Sequence, residues 1–106
     1  MNDPTMLVYL TAPNRDEALK LARTAVSERL AACANILGDM ISVYWWDGNL
    51  TEDGEVAVIL KTRADLVEAL TARLQVLHPY TCPCVVALPI AGGNPAFLDW
   101  VVAETR

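Results

Sequence analysis

The sequence predicts an α+β domain of the ferredoxin-like, split βαβ kind: an antiparallel sheet with two main helices on one face and a short C-terminal helix. Three observations lead there. The patterned segments run strand, helix, two or three antiparallel strands, helix, strand, helix. Right-handed crossovers then place both main helices on the same side of the sheet. Finally, the last strands are apolar on both faces, so the side without helices needs cover from outside the chain. The 106 residues read as one domain, 1–106, with no linker, repeat or low-complexity tract.

The first strand is Met6 to Thr11. Asn14-Arg15-Asp16-Glu17 follows Pro13 as a capping box and opens a helix to about Glu28, with Ala18, Leu21, Ala22 and Ala25 inward. Ala31 to Ile36 and Met40 to Trp46 are the next two strands, and Asp47-Gly48 is a hairpin signal. Glu55 to Thr62 returns as the fourth strand. Asp53-Gly54 comes too late to be a second two-residue turn and is expected as a bulge or break in that strand. Thr62-Arg63-Ala64-Asp65 starts the second helix, with Asp65 as the reciprocal carboxylate. That helix buries Leu66, Leu70 and Leu74 and stops before His78-Pro79. Cys84 to Pro89 is the fifth strand, and Asn94-Pro95 caps a last helix through Trp100.

Period-2 counting sorts the strand faces. Glu55, Ala57, Ile59 and Lys61 share one side, and Val56, Val58 and Leu60 the other. Likewise Ser42, Tyr44 and Trp46 oppose Ile41, Val43 and Trp45. One face is therefore an unbroken apolar floor, while the other is apolar with a few polar handles. Four strands of about six residues make a face of roughly 400 Å². Covering it contributes on the order of 10 kcal/mol per protomer before association costs. Self-association is the expected solution.

Composition excludes several classes. The hydrophobic fraction of 54% exceeds what a small monomer needs, yet no run approaches the length of a membrane span. A net charge of −5, from 8 basic and 13 acidic residues, argues against a nucleic-acid partner. Met1 to Thr5 has no basic n-region or apolar h-region, so a cytoplasmic location is expected. Three cysteines, Cys33, Cys82 and Cys84, fit reduced thiols, with Cys33 read as a small buried hydrophobe.

Residues in order from about Met6 to Val101 resemble the CutA family of divalent-cation tolerance proteins. They include Thr11-Ala12-Pro13, Leu30 to Asn35, Ser42-Val43-Tyr44-Trp45-Trp46-Asp47-Gly48, Lys61-Thr62, His78-Pro79-Tyr80 and Leu98-Asp99-Trp100. The resemblance implies a homotrimer of ferredoxin-like subunits and a cytoplasmic role in tolerance of copper and other divalent metals. Copper-binding members can carry a Cys before Thr-Ala-Pro and a second His beside His-Pro-Tyr. Here those positions are Leu10 and Leu77, and Cys84 stands where a Glu is common.

A local substitute for those ligands is His78, Cys82 and Cys84, whose imidazole and thiolates suit Cu(I) or Zn(II). The competing role for His78 is to satisfy the end of the helix before it. A second candidate is an inter-subunit cleft formed by Tyr44, Trp46, Glu55, Lys61 and Tyr80, holding a small ligand. Alternatively, Glu55 and Lys61 pair across subunits. No organic cofactor is indicated: Ala91-Gly92-Gly93-Asn94-Pro95 lacks the Lys-Ser or Lys-Thr of a phosphate-binding loop. No nucleophile–base pair stands out, so a non-enzymatic protein of metal homeostasis is expected. The alternative is a small-ligand signalling trimer similar to PII-type proteins.

Overall fold

The computed structural model describes residues 4–106, so Met1 to Asp3 of the segment read for export lie outside the described residues. The elements are β1 (Thr5–Ala12), α1 (Arg15–Ser27), β2 (Cys33–Trp46), β3 (Asn49–Arg63), α2 (Val67–Leu77), β4 (Val85–Pro89) and α3 (Pro95–Ala103). The sheet order is β2-β3-β1-β4, with every neighbouring pair antiparallel. This is the expected split βαβ arrangement.

Two helices start on their sequence signals. The Asn14 side chain accepts from the Glu17 amide at 2.9 Å, and that of Asn94 from the Ala96 amide at 3.1 Å. The start of α2 differs. A 3₁₀ turn over Ala64–Leu66 precedes it, with no side-chain cap. The reason is Thr62, which is fully buried and donates its hydroxyl to the Leu30 carbonyl at 2.6 Å. Asp65 accepts instead from Arg63 Nε at 3.0 Å.

The two strands expected between Ala31 and Trp46 are one, β2, interrupted by a bulge. Leu37 lies opposite Ala57 and Met40 opposite Glu55, so Gly38 and Asp39 together face Val56 alone. The bulge expected at Asp53-Gly54 is therefore in the partner strand: Gly54 pairs with Ile41 within a continuous β3. The extra residue shifts the alternation of β2 by one. As a result Leu37 and Met40, Ser42, Tyr44 and Trp46 all share the face of Glu55. At the hairpin tip Asp47 (φ 50°) and Gly48 (φ 77°) both take left-handed backbone, as a two-residue type I′ turn requires.

Both main helices cover one face. Leu21 and Ala25 of α1 and Leu70 and Leu74 of α2 close over Val8, Leu10, Val58 and Leu60, forming the core. The apolar floor outruns this cover. The β2–β3 hairpin extends past the helices along the 47 Å molecular axis, leaving Ile41 75% and Trp45 72% exposed. On the reverse face Leu7, Tyr9 and Ile59 are half-buried, while Leu37, Val86 and Leu88 are exposed. Among the described residues, no element buries these side chains. Cys33, expected in the core, sits half-buried on this open face opposite Lys61.

Candidate functional site

A cavity of about 610 Å³ lies at one end of the open face. The hairpin register, unbroken from Trp46 opposite Asn49 to Met40 opposite Glu55, puts Ser42, Tyr44 and Trp46 on the side of Glu55 and builds two aromatic walls around a carboxylate. Tyr80, in the turn after α2, supplies a third and donates its hydroxyl to Glu55 Oε2 at 2.8 Å. Tyr44 donates its hydroxyl to the Asp53 carboxylate. Glu55 is only 9% exposed. Burial, then the bond to Glu55, pushes the Tyr80 phenol far above its ordinary range. The bond to Asp53 is the main cause of the upward shift at Tyr44. Burial, then the charge of Glu55, raises the Cys84 thiol. Both phenols and this thiol therefore keep their protons at neutral pH.

His78 holds the Tyr80 turn in place. It is 7% exposed, its Nε2 lies 2.7 Å from the Thr11 carbonyl oxygen, and its Nδ1 accepts from the Tyr80 amide at 3.1 Å. A carbonyl oxygen only accepts, so Nε2 carries the proton and Nδ1 uses its lone pair. Neither ring nitrogen is left for a metal. The imidazole also packs on the Tyr80 ring, with centroids 4.7 Å apart. Accordingly the structure does not assemble His78, Cys82 and Cys84 into a ligand set. Among the described residues no group of three His, Cys, Asp or Glu side chains is placed to hold an ion. Cys82 and Cys84 are exposed and line the cavity.

Of the five residues expected in the cleft, Tyr44, Trp46, Glu55 and Tyr80 line it. Lys61 does not. It stands opposite Leu7 and Cys33, where its ammonium donates to the Asn35 side chain. Six residues of extended strand separate it from Glu55, a distance of roughly 20 Å. Sequence reasoning missed Tyr9, Thr11, Ser42, Pro79 and Thr81, which complete the lining. For Tyr9 and Thr11 the signal was strand register: they pair with Ile59 and Ala57, on the face of Glu55.

Comparison with known proteins bears on what this scaffold is. The family model for the CutA1 divalent ion tolerance protein matches residues 6–104. The chain belongs to the CutA1 family. The rice protein "Protein CutA 1, chloroplastic" is 46% identical over 103 residues, covering 97% of this chain and 58% of its own length. The chain thus spans a little over half of that relative. The "Divalent-cation tolerance protein CutA" of Pyrococcus horikoshii is 43% identical over 101 residues, 95% of this chain and 98% of its own. The solved structure of the divalent cation tolerance protein from Thermus thermophilus superposes with a TM-score of 0.94 at 42% identity. It covers 96% of this chain and 99% of that one. No described helix of this CutA1-family chain is long and apolar enough to cross a membrane.

Proposed function

We propose that this chain is a non-enzymatic homotrimer that binds copper or another divalent metal ion and acts in metal homeostasis in the cytoplasm. The observation that carries it is the open sheet face, whose apolar side chains Leu37, Val86 and Leu88 stay exposed among the described residues. Stacking copies of the chain against it supplies cover and brings side chains of different subunits to the cleft. Because His78 is occupied by hydrogen bonds, the metal donors proposed within one subunit are the Cys82 and Cys84 thiols, completed by a neighbouring subunit. Soft sulfur donors favour Cu(I). The raised Cys84 thiol must lose its proton on binding, so affinity rises with pH. An odd number of thiols with no disulfide supports a reducing compartment.

The test is titration of Cu(I), Cu(II) and Zn(II) into reduced protein, comparing wild type with Cys82→Ser/Cys84→Ser. Saturable binding that the double variant loses supports the site, while equal binding by both removes it. A second reading is favoured by the aromatic cavity of about 610 Å³, which lies within the size range of small-molecule sites. On that reading the protein is a signalling trimer similar to PII-type proteins, and the cleft holds an organic ligand.

A further inference from the structure

We infer that the cleft beside Glu55 is a binding site for a small alkylated ammonium cation. This rests on the small-ligand reading of the cleft and names the class of ligand. Four aromatic side chains, Tyr9, Tyr44, Trp46 and Tyr80, line the cavity, and no Lys, Arg or His among the described residues does. Glu55 is nine-tenths buried there, and none of the three ion pairs among the described residues includes it. Its Oε2 is taken by the Tyr80 hydroxyl. Its Oε1 has no hydrogen-bond partner among the described residues, and no buried side-chain oxygen among them is left unsatisfied. Oε1 is therefore solvent-accessible, a carboxylate oxygen in a largely aromatic cleft with no Lys, Arg or His among the described residues that line it.

That combination selects among cations. The faces of aromatic rings attract positive charge, and the attraction grows as the site is desolvated. Tyr44 and Tyr80 both donate their hydroxyl protons to carboxylates, which makes their rings richer in electrons and strengthens the effect. A hard divalent ion needs about six oxygen ligands, and the cleft offers one buried carboxylate. An ammonium clothed in methyl groups matches both features: its charge meets Oε1 and its weakly hydrated surface meets the rings. An uncharged apolar guest would fill the space and leave Glu55 uncompensated.

The experiment titrates choline and tetramethylammonium into the full-length protein, following tryptophan fluorescence and heat, with dimethylbutanol as the uncharged carbon isostere of choline. Saturable binding of both cations is expected, with the isostere roughly tenfold weaker or more. Glu55→Gln keeps an acceptor for Tyr80 and should weaken the cations by a similar factor while leaving the isostere unchanged. Trp46→Ala removes an exposed ring and tests the aromatic wall in a variant that does not disturb the core. Equal binding of choline and its isostere overturns the inference but keeps a small-ligand cleft. So does saturable binding of an anionic or neutral metabolite with no binding of either cation. Failure of every small molecule, with fluorescence changing only as protein concentration rises, overturns both, because the occupant is then another subunit.

Discussion

Replacing His78 with alanine separates a structural imidazole from a metal-binding one, because only the first matters in metal-free protein. The ring bridges the Thr11 carbonyl at 2.7 Å and the Tyr80 amide at 3.1 Å, joining the end of β1 to the turn after α2. Truncation leaves an acceptor and a donor without partners. Each orphaned group costs about 1–3 kcal/mol when water cannot replace the partner. Losing the packing on Tyr80 adds about 0.5 kcal/mol or more. The Tyr80 amide is only part-buried and recovers some of this through water, so the expected loss is about 3 kcal/mol. With a urea slope of about 1–3 kcal/mol/M, the unfolding midpoint drops by about 1.5 M. The assay is urea unfolding of wild type and His78→Ala at equal protein concentration with a chelator present, since assembly makes stability depend on concentration. An unchanged midpoint in metal-free protein refutes the reasoning and returns His78 to the candidate ligands.

Other substitutions follow from the same structure. Leu70→Ala removes a fully buried side chain between α2 and the sheet and should cost about 2–5 kcal/mol by denaturant unfolding. Thr62→Val leaves the buried Leu30 carbonyl without its donor and should cost about 1–2 kcal/mol in the same assay. Glu28 is held below its ordinary value, first by its hydrogen bonds with Arg73, which outweigh an opposing burial effect, and then by the charges of Arg73 and Arg106. A folded value below the unfolded one stabilises above the unfolded value and loses that contribution as pH falls through the folded one. Thermal unfolding from about pH 6 to about pH 3 should therefore show an acid-side loss that Glu28→Gln reduces.

Much of the fold was legible because its signals are local. Asn14 and Asn94 cap helices where their spacing placed them, and the inward set of α1 is the one its helical period selected. The Asp47-Gly48 turn needed only two residues that tolerate left-handed backbone. Features set by long-range pairing were not legible. Thr62 looked like a helix cap, yet its hydroxyl serves the Leu30 carbonyl across the fold. The bulge at Gly38 and Asp39 exists only relative to Val56 on another strand, and so the joining of two expected strands was hidden. The cleft was half legible for the same reason. Alternation placed Tyr44, Trp46 and Glu55 on one face, and the six-residue spacing of Glu55 and Lys61 on one strand already set them far apart, but where Tyr9 falls depends on pairing register. For the metal trio, spacing along the chain brought His78 near two thiols. The direction of its ring nitrogens depended on a carbonyl in β1.

Whether copies of the chain cover the reverse side of the sheet is measured most directly by sedimentation equilibrium over a range of protein concentrations. The account predicts a single species at three times the 11.6 kDa chain mass, persisting down to micromolar concentration. A folded particle of one chain mass at those concentrations contradicts it.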